Sequence, residues 1–226
     1  MEHAMSGDEI LSRAHIESEY RRLGYSRGWR FLTCPERHLQ TARVALVTIN
    51  PGGDQYLDPQ YSFEEGNAYA VEAWPGHRAG NHPLQIQVQR MFSVVGIDID
   101  DVLSGYLVPF RSRRWVDLPR QHEAIRVGAA LWSRVFQISP VNLIIAFGAT
   151  TGNELAKILN ADLHSRHAAG WGNIHIESHS FGVGGVMIVL PHLSRFKLFS
   201  RDQSILAFRD ALAAVDQLRR GSPTGR

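Results

Sequence analysis

Four apolar runs, at residues 44–49, 102–108, 141–147 and 186–190, punctuate the chain. Each has strand length and no alternating polar face, which predicts strands buried on both sides. The segments between them keep helical spacing. Residues 84–95 read as a helix. Asp117 and Pro119 suit the start of another, in which Ala124, Val127, Leu131, Trp132 and Val135 share a face. Gly148 ends the third run, with Thr150 or Thr151 expected to cap a helix carrying Leu155, Ile158 and Leu159. Ser200-Arg201-Asp202-Gln203 opens a last helix with Ile205, Phe208, Leu212 and Val215 on one stripe and Gly221 past its end.

Nearer the N-terminus, Ser6-Gly7-Asp8-Glu9 has capping-box spacing ahead of Ile10, Leu11, Ala14 and Leu23, which predicts a helix ending near Gly24. Residues 29–32 read as a short strand. Residues 174–179 and 186–190 flank Gly182-Val183-Gly184-Gly185, a hairpin or a tight crossover. The stretch 51–82 lacks long periodicity. Ser62-Phe63-Glu64-Glu65 caps a short helix there, running to about Trp74 among many rings. Alternating strands and helices predict an α/β fold, a three-layer α/β/α sandwich around a mainly parallel sheet. One domain over residues 1–220 and a loose tail at 221–226 are expected.

Composition changes this picture little. The 226 residues are 44% hydrophobic and 20% charged, ordinary for a globular domain, and no apolar stretch approaches bilayer-spanning length. Met1-Glu2-His3-Ala4 has no signal-peptide layout, and the single cysteine, Cys34, excludes an intrachain disulfide and fits a reducing compartment. A soluble, cytoplasmic monomer is the expectation. The net charge of +2 is small, so a nucleic-acid partner would have to meet local basic clusters, as at Arg111, Arg113, Arg114 and at Arg195, Lys197, Arg201.

Chemistry concentrates where two of the runs end. The first stops at Asn50-Pro51-Gly52-Gly53 and the last at His192-Leu193-Ser194, about 140 residues later. In a parallel sheet both loops leave from the same rim, so a carboxamide and an imidazole can face one ligand. Glycines let backbone N–H groups approach it. Gly52-Gly53-Asp54 lacks both the dinucleotide fingerprint and a phosphate-loop Gly-Lys-Ser/Thr. His175, Glu177 and His179 alternate along one strand, and Cys34 and His38 form a sparse pair; neither set has metal-site spacing, and no metal or cofactor is expected. His164 and His167 read as solvated groups near a helix end.

Thr48-Ile49-Asn50-Pro51-Gly52-Gly53, Leu107-Val108-Pro109-Phe110-Arg111-Ser112, Phe147-Gly148-Ala149-Thr150 and Pro191-His192-Leu193-Ser194 stand in the order and strand context of the uracil-DNA glycosylase superfamily. Residues 30–199 resemble that family, nearest to its mismatch-specific and single-strand-selective branches. The resemblance implies a base-excision hydrolase acting on an extruded base in single- or double-stranded DNA. It places Asn50 at the water-positioning site, His192 at the histidine of the family's His-Pro-Ser motif and Phe196 at the intercalating wedge. A base pocket of Gly52, Gly53, Phe63, Tyr69 and Tyr106 follows, with Arg111, Ser194, Arg195, Phe196 and Lys197 on DNA and Asp54 as a reserve carboxylate.

The chain departs from the family twice: Leu193 replaces the motif proline, and Tyr106 stands where an asparagine often pairs with uracil. A phenol cannot reproduce the paired donor and acceptor of an amide. Two other readings remain open: a catalytically weak or inactive nucleic-acid-binding member of the same fold, and an enzyme acting on a free nucleotide or nucleoside.

Overall fold

The computed structural model of the protein describes residues 7–221. Its six-stranded sheet is built from β2 (Val44–Thr48), β4 (Val102–Tyr106), β5 (Leu143–Phe147), β6 (Asp162–Ala168), β7 (His175–Phe181) and β8 (Gly185–Leu190), in the order β4-β2-β5-β8-β7-β6. The four apolar runs are adjacent and parallel, with Val44 level with Val102 on one side and Leu143 on the other, and Leu143 level with Val186. The far edge is antiparallel, which makes the sheet mixed. β7 and β8 form the hairpin. β6 was not anticipated: its residues are mostly exposed, so it has no apolar run to betray it, and it holds His164 and His167 in a strand rather than near a helix end.

Side-chain alternation sends each central strand into two cores. Ala45, Val47, Leu103, Ile144, Ala146, Met187 and Val189 point to one face, where α2 (Arg13–Arg22), α6 (Gln121–Ile138) and α7 (Ala149–Leu159) cover them. Leu46, Val102, Ile145, Phe147, Ile188 and Leu190 point to the other, under α5 (Pro83–Val94) and α8 (Asp202–Gly221). Close approach sets the layer spacing: a Cβ on Gly128 of α6 would lie 2.0 Å from the Leu107 carbonyl oxygen, and one on Gly152 of α7 would lie 2.5 Å from Val189.

Several local expectations give way to capping chemistry. The first helix is two, α1 (Gly7–Ile10) and α2, because Ser12 accepts a hydrogen bond from the His15 N–H and caps the second; Ser6 lies outside the described residues. The short helix α4 (Ala68–Val71) is capped by Asn67, not by Ser62. Gly148, not a threonine, caps α7, and Thr150 and Thr151 lie within it. α8 includes Gly221; the Val215 side chain and the tail beyond 221 lie outside the described residues. A second, two-stranded sheet pairs β1 (Gly28–Arg30) with β3 (Leu57–Gln60), and α3 (His38–Thr41) leads into β2. No helix among the described residues is long and apolar enough to cross a membrane.

Candidate active site

The carboxyl ends of β2, β5 and β8 open onto one cleft of about 800 Å³, lined among others by Asn50, Gly52, Gly148, His192, Ser194, Arg195 and Phe196. Its size suits a small-molecule or nucleotide-sized ligand. Asn50 and His192 therefore share a cavity, as the parallel order of the strands requires.

Asn50 is held through its nitrogen. Nδ2 donates to the carbonyl oxygens of Phe110 at 3.1 Å and Pro51 at 3.3 Å, and to Ser112 Oγ at 2.8 Å. Ser112, which is buried, donates from Oγ to the Arg114 carbonyl and from its backbone N–H to Pro51 O. All three bonds use the amide's donor end. Oδ1 has no partner among the described residues, so the side chain is fixed as an acceptor.

His192 is oriented by the residue two positions on. The Ser194 N–H donates to Nδ1 at 3.2 Å, and Ser194 Oγ lies 2.8 Å from the same nitrogen. An acceptor role for Nδ1 puts the proton of the neutral ring on Nε2. Burial, reinforced by the Arg195 charge, pushes the ring's pKa below the usual imidazole value, so the neutral form prevails at physiological pH. The ring meets Phe147 edge-on at 6.0 Å. Leu193, 1% exposed, drops into the core and anchors this loop by packing where the family's proline would stiffen it.

Around this pair the wall is polar and cationic. Arg114 binds Asp117 through two nitrogens, Arg113 pairs with Asp54 at 3.2 Å and Arg166 with Glu177 at 2.8 Å. Arg195 has no ion pair among the described residues. Gly148, at φ +87°, opens α7 without a side-chain cap, so the positive end of that helix faces the cleft. Arg113 and Arg114 come from the basic cluster and His175 from the sparse histidine set, whereas Trp115, Asn153 and Arg166 were not singled out: Asn153 is one polar position of α7, and the loop before α6 and the β6–β7 edge that bring the other two here leave no periodic signal.

Other expected site residues lie elsewhere. Tyr69 is 3% exposed, hydrogen-bonded to Thr48 and packed against Trp74 at 5.5 Å, so it has no face for an extruded base. Phe63 is occupied by the Arg30 guanidinium, 5.5 Å from its ring centre. No ring from the 56–74 segment lines the cleft; Trp115 and Phe196 do. Phe196 is no free wedge, since it meets Trp171 edge-on at 5.9 Å. Tyr106, Gly53, Arg111 and Lys197 are not cleft-lining residues, and Asp54 is exposed and engaged with Arg113.

Tyr106, Tyr69 and Phe63 instead surround a second polar cluster at the end of β4. There Arg30 pairs with Glu72 through two bonds of 2.8 and 2.9 Å, and Trp74 Nε1 donates to the same carboxylate at 2.7 Å. Glu177 and His179, 3.4 Å apart on β7, gain no further ligand: among the described residues no group of three or more histidine, cysteine, aspartate or glutamate side chains could hold a metal. No protein-family model matches this chain, and no curated protein matches it at a significant level.

Proposed function

We propose that the protein is a DNA glycosylase-like hydrolase that cleaves the N-glycosidic bond of an extruded, damaged or deaminated base. The observation that carries this reading is the pairing in one cleft of an amide fixed as an acceptor with a neutral imidazole whose Nε2 is a donor. As the glycosidic bond breaks, positive charge builds on the sugar and negative charge on the base. Asn50 Oδ1 orients a water toward the sugar, and His192 Nε2–H stabilises the departing base. An amide is a poor base, so the rate rests on electrostatics and positioning more than on proton abstraction.

Arg195, which has no ion pair among the described residues, and the start of α7 supply the positive field that a sugar–phosphate strand needs. The test is incubation with oligonucleotides bearing uracil, hypoxanthine, xanthine, hydroxymethyluracil or ethenocytosine, followed by hot alkali to reveal abasic sites. Asn50→Ala should abolish cleavage and leave oligonucleotide binding nearly unchanged. Equal losses in both would reduce Asn50 to a structural turn. Binding without cleavage of any substrate would favour a nucleic-acid-binding module, for which the masking of Phe196 by Trp171 and the absence of an amide at Tyr106 already speak.

A further inference from the structure

Of the five tryptophans, only Trp115 lines the cleft that holds Asn50 and His192. Trp29, Trp74 and Trp132 donate their indole N–H groups to Glu17, Glu72 and the Tyr106 carbonyl, and the Trp171 ring is met by Phe196 and by the Arg201 guanidinium. Trp115 packs part-buried against the core on the α6 side of the sheet. Among the described residues its N–H has no acceptor, and neither another ring nor a cation stacks on it.

The backbone holds that ring beside Asn50. Gly52 and Ser112 form a parallel bridge, and the Ser112 N–H donates to Pro51 O at 3.2 Å. Ser112 Oγ, which accepts from Asn50 Nδ2, donates at 2.9 Å to the carbonyl of Arg114, the residue before Trp115. On the other side the Trp115 carbonyl accepts from the Leu118 N–H at 3.1 Å and from Gln121 Nε2 at 2.6 Å. A ring carried on a backbone pinned at both ends has little freedom left to lose when a ligand covers it, which favours binding.

The charges around the ring select what covers it. Arg113, Arg114, Arg166 and Arg195 line the same cleft, yet no guanidinium lies over the indole. Glu177 is the one carboxylate among the lining residues, and it pairs with Arg166. Such a wall repels a cationic ligand and attracts phosphate, to which the exposed pairs of Arg113 with Asp54 and Arg114 with Asp117 yield at little cost. A flat apolar face beside bound phosphate matches a nucleotide, and the same combination holds unpaired strands. We propose that Trp115 is the platform on which the base of the ligand stacks, a role that no ring of residues 56–74 is placed to fill. Every base has a π-face, so the platform accepts purines and pyrimidines alike, and the larger purine gains more contact.

This inference rests on the base-excision reading for the origin of the base, so binding and cleavage are read separately. Adenosine monophosphate, uridine monophosphate, ribose phosphate and a short unpaired oligodeoxyadenylate are titrated by calorimetry and tryptophan fluorescence into the wild-type chain, Trp115→Leu and Trp115→Phe. Thermal melting checks the fold of each. Trp115→Leu keeps an apolar side chain without a π-face and should lose about tenfold of the affinity for every base-bearing probe, and Trp115→Phe should recover most of it. Ribose phosphate should bind weakly and alike to all three. Nucleotides should quench the wild-type fluorescence, and that quenching should be missing from Trp115→Phe, which assigns the contact to this indole even where Trp115→Leu does not fold. Tighter binding of the oligonucleotide than of adenosine monophosphate makes the base part of a strand, and the reverse makes it a free nucleotide; both support the platform. If oligonucleotides bind through Trp115 and none is cleaved, excision falls and the platform stands. Unchanged affinity in Trp115→Leu, equal losses in both variants, ribose phosphate binding as tightly as adenosine monophosphate, or no binding of any base-bearing probe overturns the platform, whatever becomes of cleavage.

Discussion

Asn50→Asp would supply a stronger base at the proposed water site, yet the structure argues that it damages the protein. The amide nitrogen donates to two backbone carbonyls, Phe110 O at 3.1 Å and Pro51 O at 3.3 Å, and to Ser112 Oγ at 2.8 Å, whose own proton goes to Arg114 O. A carboxylate oxygen in that place would face acceptors only. The two amide hydrogens serve three contacts, so the loss is about two net hydrogen bonds at roughly 1 kcal/mol each. Leaving acceptors opposed and part-buried adds about 1–2 kcal/mol. A deficit of about 3–4 kcal/mol lowers the melting temperature of a chain this size by about 6–16 °C.

The sign with pH is distinctive. Protonation restores one donor, so the folded-state pKa of the new carboxyl is raised above its unfolded value of about 3.9. The deficit is therefore smallest at acid pH and grows as pH rises through that raised pKa, whereas Asn50→Ala carries a deficit that does not change with pH. Thermal and urea unfolding at several pH values between about 4 and 8 measures both. Wild-type stability of Asn50→Asp at pH 8, or a pH-independent deficit, would refute the clamp.

Because the pKa of His192 is lowered, base excision should hold constant as pH falls through the ordinary imidazole range and decline only below it, whereas the stabilisation from burying the neutral ring is full above the unfolded pKa and is already being lost as pH falls from there toward the lowered folded pKa; a fall in kcat that begins above pH 7 would contradict it. Gly128→Ala improves helix propensity but drives a Cβ against the Leu107 carbonyl, so calorimetry should show about 2–3 kcal/mol of destabilisation rather than a gain. Glu72→Gln should cost about 3 kcal/mol by leaving the part-buried Arg30 without its counter-ion, against a near-neutral effect for Glu154→Gln in the exposed pair with Lys157, both read from denaturant midpoints. Arg195→Gln should reduce the salt slope of oligonucleotide binding by about one unit for every sequence tested, and an unchanged slope would place the strand elsewhere.

The apolar runs alone determined the sheet's interior. Strands buried on both faces must be continuously hydrophobic, and such runs leave few other arrangements for β2, β4, β5 and β8. Because parallel strands share a rim, the same runs placed Asn50 and His192 in one cleft. What the chain could not declare locally was everything set by long-range contact. β6 pairs at an exposed edge with no pattern of its own, and Tyr69 is a core residue only because α5 and the cluster around Trp74 close over it.

Arg111 shows the limit most plainly. As one of three nearby arginines it reads as a phosphate contact, but Gly53 packs beneath it and Glu72 is spent on Arg30. Residues far apart in sequence leave its side chain half-buried and without a hydrogen bond or ion pair among the described residues, although its backbone N–H bonds Gly28 O. Hydrophobic periodicity is written residue by residue, whereas the pairing of a charge depends on which distant groups the fold delivers beside it, and that is decided only in three dimensions.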